Sequence, residues 1–199
     1  MPRDGSFLPR MSAAECALFT RYIPRKSRAL EFGCGGSTAH MLRNGVWDLT
    51  SVESDFAWLE KVLQEPEPRY FLMKKRWHPM HADIGPTGAW GGPLAKEPDP
   101  RWLNYHQHCW DLMPSTAYDV ILIDGRFRVA CLCRSLLHCA NPGVTIVMHD
   151  FWSRPGYHAV LDFVTVQDRV DDIAVMRPLP GLSREKVTAT LQRFLFEPS

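Results

Sequence analysis

Along this chain the hydrophobic positions switch repeatedly between two patterns. Short continuous apolar runs suit strands buried on both faces. They alternate with stretches whose apolar residues recur at three- and four-residue spacing, which suit helices packed by one side. The runs at 118–123 and 144–148 predict buried strands, the strand-like segments at 28–32, 48–52 and 79–82 predict three more, and those near 164–167 and 173–176 predict a further two. Between them, 38–44, 56–63 and the face made by Val129, Leu132, Cys133, Leu136 and Leu137 predict helices. Gly45 closes the first of these, because glycine takes the left-handed position after a helix without penalty. Pro66 and Pro68 are expected to end the second. An earlier helix is signalled by Ala13, Ala14, Ala17 and Leu18, with Ser12 as its cap and Glu15 three residues on. Strands alternating with helices predict an α/β fold: a doubly wound, Rossmann-like sheet, mostly parallel, with an antiparallel strand near the C-terminus.

Two stretches break the rhythm. Residues 85–115 are rich in Gly, Pro and Trp and only weakly periodic, which predicts a long loop with one short helix. Loops of this length in compact domains are usually functional or disordered. Trp90, Trp102 and Trp110 argue against disorder, and they serve either as a lid over a substrate or as a small satellite core. After Pro180 the pattern predicts a charged tail. Residues 1–199 are expected to form one domain, with 1–27 as an N-terminal helical segment.

Composition narrows the classes of function. A net charge of +1 gives no electrostatic case for nucleic acid or an anionic membrane. No stretch approaches the roughly 20 apolar residues that span a bilayer, and the first residues lack the apolar core of a secretory signal. The six cysteines form no C-x-x-C pair, which predicts reduced thiols and a cytoplasmic protein. His106, His108 and Cys109 lack the second ligand pair that a structural zinc site needs.

The chemistry concentrates at predicted strand ends, where open α/β sheets bind ligands. The first strand runs into Glu31-Phe32-Gly33-Cys34-Gly35-Gly36-Ser37-Thr38. Glycines there allow a sharp turn and close approach of a ligand. The second strand ends in Glu53, twenty residues beyond Gly33, where a carboxylate can accept both ribose hydroxyls. Together these indicate an adenosine cofactor. A dinucleotide fingerprint is disfavoured, because Thr38 stands where its third glycine would be.

The stretch from Glu31 to Thr38 resembles the first motif of class I S-adenosylmethionine-dependent methyltransferases. The resemblance runs over residues 28–150, through Glu53 with Asp55, His81-Ala82-Asp83-Ile84, the run from Tyr118 to Gly125, and the run from Pro142 to Asp150. It implies that Gly33, Cys34, Gly35 and Gly36 wrap the cofactor's amino-acid portion with Glu31 nearby. It further implies that Glu53 holds the ribose, that Asp83 meets the adenine or simply caps a turn, and that Asp124 lies beside the methyl group. Ile-Asp-Gly after the fourth strand and His149-Asp150 after the fifth look like the small-molecule O-methyltransferases of the macrocin and cephalosporin pathways, and more distantly the catechol type. In several of those, acids at these strand ends hold a divalent cation, so Asp124 and Asp150 are metal candidates. His149 stands where an oxygen donor is usual, and Mg²⁺ prefers oxygen. Arg126 and Arg128 replace a histidine often found after Ile-Asp-Gly; they bind an acidic substrate, pair with Asp124 and Asp150, or form a surface salt bridge.

Asp124, His149 and Asp150 are the expected catalytic set, with either a divalent metal or His149 as base. The partners implied are S-adenosylmethionine and a small-molecule acceptor, methylated at oxygen, with no nucleic acid and no membrane. A homodimer is left open. The alternatives are a non-catalytic S-adenosylmethionine-binding protein and a nicotinamide-dependent oxidoreductase.

Overall fold

The computed structural model describes residues 7–113 and 116–198. Seven strands form one sheet in the order β3-β2-β1-β4-β5-β7-β6. They are β1 (Ser27–Phe32), β2 (Val46–Glu53), β3 (Trp77–His81), β4 (Val120–Ile123), β5 (Thr145–Met148), β6 (Val164–Val170) and β7 (Ile173–Pro178). The first five are parallel. Only β7 runs against them, wedged antiparallel between β5 and β6. From β1 the chain steps outward to β2 and β3, then returns to place β4 and β5 on the other side. The order therefore reverses between β1 and β4, and this reversal opens a crevice beyond their carboxyl ends.

Period-two alternation explains the continuous apolar runs. In β4, Ile121 and Ile123 enter one core while Val120 and Leu122 enter the other. Helices α1 (Ala13–Arg21), α2 (Gly36–Arg43), α3 (Phe56–Gln64) and α4 (Pro66–Met73) cover one face, supplying Phe19, Met41, Val62 and Phe71. Helices α5 (Leu103–Leu112), α6 (Arg128–His138) and α7 (Arg184–Phe194) contribute apolar residues to the core on the other. No helix among the described residues is long and apolar enough to cross a membrane.

Three elements differ from the sequence expectation. The prolines after α3 start a helix as well as ending one. Pro66 takes the first helical position of α4, where its missing N–H costs nothing. The segment 85–115 holds a full helix, α5. Its Tyr105, His106, Cys109 and Trp110 are buried, which makes it a core element whose polar positions had masked its period. The tail after Pro180 forms α7, which buries Val187 and Leu191 behind a charged outer face.

Candidate active site

A cleft of about 750 Å³ lies beyond the carboxyl ends of β1, β2, β4 and β5. Its floor is the turn after β1. Gly33 has φ of +92°, and a Cβ there would stand 2.8 Å from the Gly125 Cα. The ends of β1 and β4 therefore touch backbone to backbone, which only glycine permits at this distance. At Gly36 a Cβ would meet the Leu8 carbonyl, so the segment at 7–10 is laid directly over the start of α2. At Gly35 nothing is nearer than the Trp58 ring at 3.7 Å. Gly33, Gly35 and Gly36 all line the cleft. Cys34 is buried outside the cleft wall; its N–H donates to Glu53 Oε2 (3.1 Å), and its carbonyl accepts from the Trp58 indole (2.8 Å).

Glu31 is walled off from the cleft. Its carboxylate accepts from the hydroxyls of Ser37 (2.5 Å), Thr38 (2.7 Å) and Ser51 (2.6 Å). Burial lifts its carboxyl to about 7 despite those bonds. These bonds make Glu31 an internal tie joining β1, β2 and α2 behind the glycine turn. Thr38 at the sixth position of the glycine motif is part of the same tie, and its Oγ1 also accepts the Gly35 N–H at 2.9 Å.

Glu53 stands at the other end of the cleft. Oε1 accepts the N–H groups of Ser54 (2.7 Å) and Asp55 (2.9 Å), and Oε2 accepts that of Cys34. A carboxylate offers about four acceptor positions, so Oε2 keeps one for a ligand. Burial pushes the Glu53 carboxyl above its ordinary value, against the pull of those three amides. Trp90 and Gly91 line the cleft beside it, and the Gly91 carbonyl accepts from Ser54 Oγ at 2.8 Å. The lid role suggested for three tryptophans thus narrows to Trp90. Trp102 and Trp110 are buried in the core among Phe127, Tyr118 and their neighbours. Asp83 is exposed and outside the cleft wall; its Oδ1 accepts the Gly85 N–H at 2.8 Å. It is the turn cap that the sequence also allowed, and it makes no part of the cleft.

Asp124, after β4, and His149 and Asp150, after β5, converge on the far wall. Their ligating atoms lie within 4.8 Å of one another. His149 Nδ1 is 3.0 Å from Asp124 Oδ1 and 3.6 Å from Asp150 Oδ1. Its Nε2 is 3.5 Å from Glu15 Oε2 on α1. Burial alone would lower the imidazole pKa. The Asp124 hydrogen bond and charge, with the charges of Asp150 and Glu15, outweigh it and hold His149 above its ordinary value. Beneath them lies the buried guanidinium of Arg128. It donates to Gly125 O (2.9 Å), Asp124 O (3.3 Å), His149 O and Asp150 Oδ2 (3.0 Å). Arg154 reaches the same Asp150 oxygen at 3.0 Å. Of the three readings of Arg128, pairing with Asp124 and Asp150 is the one the geometry takes.

These cations bear on the metal expectation. Asp150 Oδ2 is shared by two guanidiniums, and Asp124 Oδ1 lies between His149 and Arg128, 3.5 Å from the latter. A divalent ion held by Asp124 and Asp150 would sit against Arg128 and displace its bonds. Asp124, His149 and Asp150 can be brought to one ion, but the ion would compete with Arg128 and Arg154 for the same carboxylates.

Sequence reasoning missed Glu15, Arg154 and the segment at 7–10. Glu15 is the third residue of a capping box with Ser12, and that local role accounted for it completely. Its second contact, to His149, is long-range and leaves no trace in spacing. Of the six non-glycine residues described in left-handed backbone, Trp90 (φ 60°) and Asp150 (φ 51°) line the cleft and Phe127 (φ 51°) follows Arg126, while Lys26, Lys75 and Asp171 lie elsewhere. Such conformations cost about 1–3 kcal/mol each and tend to collect at functional sites.

No protein-family model and no curated protein matches the chain. Solved structures do. A methyltransferase-like protein of Silicibacter pomeroyi is 26% identical with a TM-score of 0.77, over 96% of this chain and 98% of its own. A predicted O-methyltransferase of Agrobacterium tumefaciens is 12% identical with a TM-score of 0.50, over 84% and 81%. An inferred methyltransferase of Escherichia coli is 14% identical with a TM-score of 0.54, over 89% and 90%. The fold is that of the class I S-adenosylmethionine-dependent methyltransferases. The likeness to the Silicibacter protein runs the length of both chains.

Proposed function

We propose that the chain transfers the methyl group of S-adenosylmethionine to an oxygen of a small-molecule acceptor. The observation that carries this reading is one continuous cleft. It joins the open glycine turn and the Glu53 carboxylate at one end to the Asp124–His149–Asp150 cluster at the other. Its volume suits a ligand of cofactor size, and the open space at Gly35 is a cradle that any side chain would fill.

When bound, S-adenosylmethionine supplies an already activated methyl group, so alignment does much of the work. Gly33, Gly35 and Gly36 give the cofactor's amino-acid portion a smooth floor. Glu53 Oε2 accepts from the ribose. Trp90 and Gly91 cover that end and exclude water. The acceptor hydroxyl must lose a proton as its oxygen takes the methyl. His149, the one imidazole lining the cleft among the described residues, is the group proposed to receive it. Asp124 holds Nδ1 and favours the imidazolium that results. Asp150 and Arg128 keep the two strand ends in register.

Incubation with methyl-tritiated S-adenosylmethionine and a small-molecule extract tests the reading. Label should move to an organic acceptor, and the rate should rise with pH. The base must be unprotonated to act, and Asp124, Asp150 and Glu15 raise its pKa. The midpoint should therefore lie above the ordinary imidazole value of 6.5. A rate that falls with rising pH through that range contradicts His149 as base.

A further inference from the structure

The arginines that face the cleft differ in what they touch. Arg128 and Arg154 are matched by Asp124 and Asp150. Arg126 is not. Its Nε donates to the Trp90 carbonyl at 2.8 Å, which fixes the plane of the guanidinium against the loop over the cleft. Among the described residues, no carboxylate pairs with its terminal nitrogens. The side chain is half-buried in the cleft wall. Burial and the neighbouring Arg128 and Arg154 charges press its pKa down. On the other side of the same tryptophan, Arg10 stacks over the Trp90 ring at 4.3 Å and also lines the cleft.

A cation drawn out of water beside like charges is costly unless an anion meets it. The acids of the cleft do not supply one. Glu53 is held by three backbone amides, and Asp124 and Asp150 are paired with His149, Arg128 and Arg154. The missing counter-charge is then a ligand's. We infer that the methyl acceptor is a small organic acid, whose carboxylate is gripped by Arg126 at the Trp90 edge of the cleft. A guanidinium with one edge tied to a carbonyl still offers a planar pair of donors, which matches a carboxylate oxygen for oxygen. Held there, the acceptor's hydroxyl is directed toward the Asp124–His149 wall of the same cleft.

This inference rests on the transfer reading, and one competing source of the same chemistry needs separating. The cofactor carries a carboxylate of its own. The glycine turn after β1, with Ser37 beside it, lines the other part of the cleft and is its natural counterpart. Arg126 lies instead after β4, on the wall that carries Asp124.

The test separates a small-molecule extract on a strong anion exchanger, then offers each fraction with methyl-tritiated S-adenosylmethionine. Label should appear in the retained fraction. It should be lost when that fraction's carboxylates are first converted to methylamides with a carbodiimide and methylamine. With acceptor limiting, Arg126→Gln should lower transfer about 10–100-fold, the range for a lost charge-assisted pair. Arg126→Lys should restore part of it, because charge returns without the planar fork. The affinity of both variants for S-adenosylhomocysteine should change by less than about threefold. Label confined to the unretained fraction, or surviving amidation, overturns the organic-acid acceptor and leaves methyl transfer standing. Equal losses of S-adenosylhomocysteine binding and of transfer in Arg126→Gln assign Arg126 to the cofactor's end of the cleft, directly or through the Trp90 loop it holds, and also overturn the inference. Label in neither fraction contradicts methyl transfer itself, and this inference falls with it.

Discussion

Gly35→Val is expected to abolish binding of S-adenosylhomocysteine while the far-ultraviolet circular dichroism spectrum stays that of the wild type. The reason is local. Gly35 has φ of 164°, extended backbone that any residue adopts. An added Cβ meets only the edge of Trp58, at ordinary van der Waals distance. The valine methyls would then project into the cleft, where the fold loses nothing and the ligand loses its floor. A fall in affinity of about 100-fold or more, close to 2.8 kcal/mol, is the expected size. The neighbouring glycines behave differently, because Gly33 abuts the Gly125 backbone and Gly36 abuts Leu8. Calorimetric titration beside the spectrum separates the two kinds of glycine. Undiminished binding in Gly35→Val would mean that the ligand does not lie on this turn.

Asp124→Asn should lower the rate of methyl transfer by about 10²–10⁴-fold, the range a positioned proton acceptor contributes. The amide keeps the shape of the side chain and removes its charge. His149 then loses its 3.0 Å carboxylate partner, and its pKa falls, since Asp124 is the largest influence raising it. The rising limb of the pH profile should therefore move to lower pH even as the maximal rate drops. A merely structural role for Asp124 would reduce the rate and leave the limb where it was. A rate within about tenfold of wild type would remove Asp124–His149 from the chemistry.

Much of the fold was legible in the sequence because β4 and β5 are buried throughout and read as apolar runs, while β1 and β2, with polar residues among their buried positions, are marked by the glycines and the acid at their ends. The alternation with helices then dictated a parallel sheet. The antiparallel β7 could be anticipated only from two strand-like runs with almost nothing between them. Helix α5 was hidden because its Asn104, His106, Gln107 and His108 interrupt the apolar period, although His106 is buried and its Nε2 lies 3.2 Å from the Leu195 carbonyl. The candidate site was legible where chemistry sits at a strand end, as at Glu53, Asp124, His149 and Asp150. It was illegible where a residue has two jobs. Glu31 fits a cofactor motif and also accepts from three hydroxyls. Glu15 fits a helix cap and also reaches His149. Arg128 and Arg126 are two residues apart with the same side chain, and only the fold separates the matched one from the unmatched one.

The central claim is that the cleft between Glu53 and Asp124 is a S-adenosylmethionine site. The most direct measurement is a calorimetric titration of S-adenosylhomocysteine into the wild-type chain and into Glu53→Ala, with NAD as the comparison ligand. The account predicts saturable one-to-one heat for the wild type, none for NAD, and an affinity at least about tenfold weaker in the variant, as expected when a charged hydrogen-bond acceptor is removed. No heat with the wild type, or equal affinity in Glu53→Ala, would contradict it.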